Sequence, residues 1–383
     1  MRSGKRGHAV GWFFSYGANP LGWEVLSPAL LVGPRFYSPF LPSTVKGYRT
    51  KVYKTVVLMP EHNPHEPCPG SAGNLASIDI GSHTARLLIA EKAGHSELFH
   101  PLFRNRAYIR LAEDFEEGLI KQGAMDRALE ALEDFLSTAR RYNVDTIRAV
   151  CTGVVREASN KDRFLTMIRE GAGIQVRLLS GEEEARLTGK GVCHGLNMKG
   201  RPFVIFDLGG GTTEFLFGQN EKTEVKSIPL GAMVLTQKYL RSDPPEEKGV
   251  RDLEKHIARI LQDAFSSNTP VMENPLLVGT GGTVTTLAAM TQGIQADKIG
   301  ADNIHGLVLE KGEIEGLFRR MSTITLEERL KIPGLDRGRG DIIVAGSMAV
   351  IGILRYFQSS RMVVSFSDIL EGVLIECLTD STA

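Results

Sequence analysis

The sequence contains little that would commit it to a membrane, a nucleic acid or a disulfide scaffold. Lysine plus arginine number 45 and aspartate plus glutamate also number 45, so neither sign is in excess. A global field that draws in nucleic acid or an anionic membrane is therefore missing, and any polyanion must be met by a local patch. No long basic stripe occurs either, which argues against nucleic-acid binding. No run of about 18 apolar residues exists, so no membrane span is expected. Only four cysteines occur, Cys68, Cys151, Cys193 and Cys377, and no two are spaced C-x-x-C. That spacing argues against a zinc knuckle or a disulfide framework and fits a cytoplasmic, reducing compartment. The histidines show no metal-ligand spacing. No glycine-rich loop ends in Gly-Lys-Ser/Thr, which argues against a P-loop NTPase.

What is present is ordinary for a globular protein: 42% hydrophobic and 23% charged residues. A length of 383 residues allows two domains. Residues 1–72 stand apart. Both tryptophans, Trp12 and Trp23, and many prolines fall there. The apolar stretches around Trp12–Tyr16 and Leu26–Val32 are broken by Gly, Asn and Pro, so a secretory signal is poorly formed. The stretch from Pro60 to Gly70 has linker composition. This segment is expected to be a disordered or spurious extension, with Met59 as an alternative start.

From Leu75 the pattern becomes regular. Leu75–Gly81 and Arg86–Glu91 read as two strands of a hairpin. Met125, Leu129, Leu132, Leu136 and Ala139 recur at helical spacing, as do Leu253, Ile257, Ile260, Leu261 and Ala264. Asp145–Gly153 and Ile174–Gly181 read as strands around a helix near Asp162–Glu170. Pro202–Gly218 reads as strand, glycine turn, strand. Leu276–Gly282 is a strand ending in glycines, and Asp341–Phe357 a largely buried helix. The alternation predicts an α/β fold.

One internal repeat dominates. Asp79-Ile-Gly-Ser-His-Thr-Ala-Arg-Leu-Leu-Ile-Ala90 aligns with Asp207-Leu-Gly-Gly-Gly-Thr-Thr-Glu-Phe-Leu-Phe-Gly218. The Asp, the Gly two later and the Thr five later recur. A duplicated hairpin suggests two similar lobes facing each other across a cleft. Glycines at a strand end let the backbone approach a ligand closely, successive N–H groups can cradle phosphate oxygens, and the aspartate offers a hard oxygen to Mg²⁺. Asp79, Gly81 and Ser82 supply these elements in the first copy. Asp207, Gly209, Gly210, Gly211 and Thr212 supply them in the second. Gly281 and Gly282, in Gly279-Thr-Gly-Gly-Thr283, form a third turn between a strand and a helix start, a further phosphate-contact candidate. In Ser180-Gly-Glu-Glu-Glu-Ala-Arg186, Ser180 and Glu183 suit a capping box. One of Glu182, Glu183 and Glu184 is a candidate general base for an attacking water, and spacing does not say which. Arg156 and Arg86 are candidate phosphate clamps, because a guanidinium suits bidentate contact. Each has a plain salt bridge as its competing reading. Cys151 lies in an apolar strand and reads as core rather than nucleophile.

Together these motifs resemble the exopolyphosphatase / guanosine pentaphosphate phosphohydrolase family, within the sugar kinase–actin–heat-shock ATPase superfamily. The resemblance runs from about Leu75 to Cys377. It rests on the two hairpins, Thr152–Ala158, the Ser180–Arg186 run, Gly279–Thr283, Ile332-Pro-Gly-Leu335 and Asp341–Gly346. It implies two actin-like (ribonuclease H-like) lobes with a phosphate-binding cleft between them: 73–182, with a segment near 366–383 packing back on it, and 183–365. It implies Glu184 as catalytic base, Arg156 as the family arginine, and Asp79, Asp207 and Glu214 as ligands for Mg²⁺ or another divalent cation. The implied reaction is release of orthophosphate from the end of inorganic polyphosphate. Guanosine pentaphosphate hydrolysis is the alternative, and a non-catalytic sensor of either molecule an alternative of another class. No nucleic-acid or membrane partner is implied, and a homodimer stays open. Two departures stand out: His83 replaces the usual Asn, and Ser365-Phe-Ser-Asp-Ile-Leu-Glu371 lacks the family's Asp-Arg pair. The chain looks like a short, two-domain member.

Overall fold

Each copy of the repeat pairs two apolar strands across a glycine turn, and each pair seeds a sheet. The computed structural model describes residues 54–57 and 73–380, apart from 94–97, 114, 116–117, 197, 199–200, 220–221, 267–271 and 273. Most of the expected extension, residues 1–53 and 58–72, lies outside the described residues. Within it, β1 (Lys54–Val57) forms an edge strand antiparallel to β4.

The first sheet contains β1, β2 (Asn74–Ile80), β3 (Thr84–Lys92), β4 (Phe99–Tyr108), β5 (Val144–Cys151) and β6 (Val176–Leu178), in the order β1-β4-β3-β2-β5-β6. The second contains β7 (Phe203–Leu208), β8 (Thr213–Gln219), β9 (Lys222–Ile228), β10 (Leu276–Thr280), β11 (Val308–Glu310) and β12 (Arg361–Val364), in the order β11-β12-β10-β7-β8-β9. Strands β4-β3-β2 form an antiparallel meander, and β5 and β6 continue it in parallel. Strands β9-β8-β7 repeat that meander, and β10 and β12 repeat the parallel extension. The duplicated hairpin is thus the core of a duplicated five-strand plan, the mixed α/β architecture that the actin-like resemblance implies.

Helices fill the crossovers, as parallel pairing requires. In chain order they are α1 (Gln122–Arg141), α2 (Lys161–Ala172), α3 (Gly181–Gly195), α4 (Ala232–Tyr239), α5 (Glu247–Phe265), α6 (Gly282–Gln292), α7 (Ala301–Ile304), α8 (Lys311–Ser322), α9 (Leu326–Arg329), α10 (Ile343–Tyr356) and α11 (Ile369–Asp380). The apolar stripe of α1, including Met125, Leu132 and Phe135, packs with Ile78, Ile80, Leu87 and Ile89 in the first core. Leu253, Ile257, Leu261 and Phe265 of α5 join Phe206, Phe215 and Phe217 in the second. Helix α10 is apolar on nearly every face and almost wholly buried, as its composition predicts. The strand expected over Ile174–Gly181 is shorter than its apolar run. Its last residues instead lead into α3, because Ser180 caps that helix.

Helix α11 ends the chain by returning to the first sheet, where Leu370 and Leu374 pack with Leu75, Leu88 and Phe99. It crosses α3 at two glycines. A Cβ on Gly191 would lie 1.9 Å from the Asp368 carbonyl oxygen, and one on Gly372 would lie 1.9 Å from the Leu187 carbonyl oxygen. Only residues without a side chain permit this crossing, and it holds the starts of both helices beside the hairpin turns. Gly372→Ala is expected to force the helices apart and cost about 1–3 kcal/mol, the usual penalty for overpacking. Urea unfolding of the variant against the parent would measure it, and an unchanged midpoint would contradict the close crossing.

Candidate active site

The two hairpins share a register. Asp79 pairs across its ladder with Arg86, and Asp207 pairs with Glu214. In each turn the glycine N–H closes onto a threonine carbonyl: Gly81 to Thr84 at 2.9 Å and Gly209 to Thr212 at 3.0 Å. The turns face and touch. A Cβ on Gly210 would lie 3.1 Å from that of His83, and one on Gly211 would lie 3.0 Å from Ser82 Oγ. Gly281 completes the floor. Its φ of +92° suits glycine, and a Cβ there would lie 2.5 Å from Asp207 Oδ1. Between these turns lies a cavity of about 140 Å³.

Five buried carboxylates line the cavity: Asp79, Glu184, Asp207, Glu214 and Asp368. Asp79 accepts from Arg86 Nε at 3.1 Å and Nη2 at 2.7 Å, and from Thr152 Oγ1 at 3.0 Å. Burial nevertheless pushes its pKa up, against the pull of Arg86. Asp207 receives no hydrogen bond from the described residues, and burial pushes it up to about 7. Glu214 accepts from Ser227 Oγ at 2.8 Å. Burial, then the charge of Asp207, pushes it up to about 7 as well.

The structure separates the three consecutive glutamates. Glu182 is exposed and lies 3.8 Å from Arg186. Glu183 makes the capping box, accepting from the Ser180 N–H at 2.8 Å while its own N–H donates to Ser180 Oγ at 3.2 Å. Glu184, next along the first turn of α3, points inward and is only 8% exposed. Burial, then Glu214, holds its pKa well above the ordinary carboxylate range, and Arg156 opposes both. Arg156 binds Glu184 and lies 3.5 Å from Glu214.

Asp79, Gly81, Ser82, Arg86, Glu184, Asp207, Gly209, Gly210, Gly211, Thr212, Glu214, Gly281 and Gly282 all line the cavity. Arg156 does not. It lies behind Glu184 and Glu214 as their counter-ion, so its guanidinium is engaged by protein carboxylates. The Ser82 hydroxyl accepts from the Val154 N–H at 3.0 Å, which ties the first turn to the segment after β5. Cys151 is fully buried, its thiol pKa raised by burial, as expected for core.

Sequence reasoning missed two lining residues of consequence. Arg339 is 6% exposed and has no acceptor among the described residues. Its guanidinium lies on the backbone of Gly282 at the start of α6, so a Cβ there would sit 1.7 Å from Nη2. A buried cation with no hydrogen-bonded carboxylate of its own, its nearby acid Asp336 shared with Arg106, beside a helix N-terminus and open to a cleft, is suited to an anion. The charged Arg337-Gly-Arg339 run between apolar segments was its only signal. Asp368, from the loop before α11, binds Arg86. It lies within the run noted for its missing Asp-Arg pair. His83 is buried against Tyr108 and donates Nε2–H to the Gly338 carbonyl at 3.0 Å. Burial, then Arg339, pushes its pKa well down and keeps it neutral. The substituted position therefore braces the loop that carries Arg339.

Among the described residues, no three His, Cys, Asp or Glu side chains form a ready-made metal cage. Mg²⁺ seldom uses one; it is usually held by one or two carboxylates with waters and substrate phosphates. The unpartnered, raised carboxyl of Asp207 beside Glu214 fits that kind of site.

Most of the described chain is similar to proteins of one family. A model described as the Ppx/GppA phosphatase family matches residues 88–381. Exopolyphosphatase 2 of Mycobacterium tuberculosis is 30% identical over 314 residues, covering 79% of this chain and 97% of its own length. The crystal structure of the Aquifex aeolicus Ppx/GppA family member has a TM-score of 0.67 at 28% identity, covering 81% of this chain and 99% of its own. That of an exopolyphosphatase from Cytophaga hutchinsonii has a TM-score of 0.72 at 27% identity, covering 80% and 98%. No helix among the described residues is long and apolar enough to cross a membrane.

The raised carboxyls link stability to pH. Asp207 and Glu214 move from ordinary values of 3.8 and 4.5 to about 7. The folded protein therefore holds more protons than the unfolded chain between about pH 4 and 7. Their contribution is fully present below that window and is lost as pH rises through 7, at up to about 1.4 kcal/mol per pH unit for each proton. Without divalent cations, the protein is expected to lose stability between pH 5 and 8, and Asp207→Asn to flatten that slope. Denaturant midpoints across pH would check this; parallel profiles for parent and variant would refute it.

Proposed function

The chain belongs to the Ppx/GppA phosphatase family, and on that premise we propose that it is an exopolyphosphatase, a phosphoanhydride hydrolase that releases orthophosphate from the end of inorganic polyphosphate. The observation that carries this reading is the contact of two glycine turns over a cavity whose buried acids include one, Glu184, on a helix start. The lobes are drawn at 73–182 with 366–383, and at 183–365. The packing of α11 on the first sheet supports that division.

The terminal phosphate lies between the turns at Gly81–Ser82 and Gly209–Thr212. Their backbone N–H groups, with those at Gly281–Gly282, receive its oxygens. Arg339 and the remaining N–H groups of Arg86 meet the chain's charge. Asp207 and Glu214, with Asp79, would hold Mg²⁺ or another divalent cation, which when bound supplies positive charge to the phosphate oxygens. Glu184 accepts a proton from water as the water oxygen attacks phosphorus in line. The bond to the bridging oxygen breaks, and the shortened chain leaves with that electron pair. A carboxyl raised by burial is a better base near neutral pH than an exposed one, provided something keeps it ionised. Arg156 does so for Glu184. Most of the rate comes from position and charge rather than covalent chemistry. Guanosine pentaphosphate would meet the same residues with a different leaving group.

A phosphate-release assay over polyphosphates of several lengths, guanosine pentaphosphate and ATP, with and without Mg²⁺, tests the reading. Polyphosphate is expected to give the highest kcat/KM, and chelation to abolish turnover. No release from any polyphosphate would end the proposal. Glu184→Gln is expected to lower kcat at least about 10²-fold, with little change in stability. Full activity in that variant would remove Glu184 from the role of base.

A further inference from the structure

Resting on the reading of the cleft as a phosphate-chain site, we infer that Asp368 is a positioning residue that competes with the phosphate chain for Arg86 and thereby fixes the Arg86 guanidinium against Asp79. Arg86 has five N–H groups. Two are directed at Asp79, from Nε at 3.1 Å and Nη2 at 2.7 Å, and a third, on Nη1, at Asp368 Oδ2. The planar group is pinned at both ends, which leaves one N–H on each Nη for a ligand.

The acceptor itself is anchored. Asp368 is 6% exposed and caps α11, taking the Leu370 N–H on Oδ1 at 3.0 Å. Its own N–H donates to Glu371 Oε2 at 2.8 Å. Glu371 in turn pairs with Arg104, whose guanidinium lies 4.9 Å from the centre of the Phe366 ring. Capping uses Oδ1, and the contact with Arg86 uses Oδ2, so the two roles sit on different atoms. A cap alone does not need a charge here, because serine or asparagine caps as well as aspartate. Asp368 instead places a fifth negative group on a cavity that already holds Asp79, Glu184, Asp207 and Glu214. That charge weakens anion binding. What it supplies in exchange is a preset Arg86, whose two free N–H groups meet the transferring phosphate without reorganisation.

Asp368→Asn separates the roles. It keeps the capping oxygen, removes the charge and turns the Oδ2 position into a donor that Arg86 cannot use. In EDTA, where turnover is prevented, the variant is expected to bind tripolyphosphate about threefold to tenfold more tightly, the size of one nearby charge at a part-exposed site. With Mg²⁺, kcat for phosphate release from polyphosphate should fall about tenfold. Asp368→Ser, which also keeps a capping oxygen, should behave alike, and both should unfold near the parent midpoint. In an Arg86→Gln background the effect of Asp368→Asn on kcat should shrink to within about twofold, since contacting residues do not act additively. Tighter binding with slower turnover is not what loss of a structural contact produces. Wild-type Kd and kcat in both Asp368 variants would overturn the inference, as would an equal loss of kcat in the Arg86→Gln background. If the parent protein releases no phosphate from polyphosphate, the functional reading fails by itself, and the EDTA measurement still decides this one. Unchanged or weaker tripolyphosphate binding by Asp368→Asn, or no binding by the parent, would then sink it.

Discussion

Buried negative charge gathered around one cleft is the constraint on which the rest of the structure depends. Asp79, Glu184, Asp207 and Glu214 are each at most 8% exposed and each raised in pKa, with burial the first cause. Such a group of acids is tolerable only if paired, protonated or bound to a cation. The protein uses guanidinium groups for part of the task. Arg86 serves Asp79 and Asp368, and Arg156 serves Glu184 and Glu214. Asp207 is left without a donor among the described residues, and in the proposed mechanism that is where the divalent cation would be held.

The duplicated hairpin shows how one fold element takes two electrostatic roles. The turns are alike in register and in hydrogen bonding, yet the residue opposite the aspartate is Arg86 in one and Glu214 in the other. The first copy therefore pairs its aspartate within its own ladder. The second accumulates charge and relies on Arg156, brought from the segment after β5. Neither hairpin has the same chemistry alone. Contact between Gly210–Gly211 and Ser82–His83 makes one cavity of both.

Two helix starts complete the cavity, and both depend on a close crossing. Helix α3 carries Glu184 in its first turn, and Asp368 caps α11. Gly191 and Gly372 let the two helices approach until backbone meets backbone. Acids from distant parts of the chain are thereby held on one wall with little freedom to retreat into solvent. The raised pKa of Glu184 follows from its burial in that geometry rather than from local sequence.

Much of this protein is legible in the sequence because it is local. Strand runs ending in glycine, helical periodicity over Met125–Ala139 and Leu253–Ala264, the capping box at Ser180 and the recurrence of Asp-x-Gly each depend on neighbours a few residues apart. Which of the three glutamates faces inward was not legible from spacing alone. It is decided by which side chain the cap consumes, which one remains on the solvent face, and where Arg156 lies behind the cavity wall. Arg339 and Asp368 gave almost no local sign, since a lone arginine or aspartate in a loop looks like any solvated charge. Their place in the site exists only because α6, α11 and the first hairpin converge, and burial there turns ordinary surface residue types into a cation without a hydrogen-bonded carboxylate and a clamp. Sequence by itself thus determined the two turns and their chemistry. Tertiary structure alone decided how their charges are shared, because pairing and desolvation act through space and not along the chain.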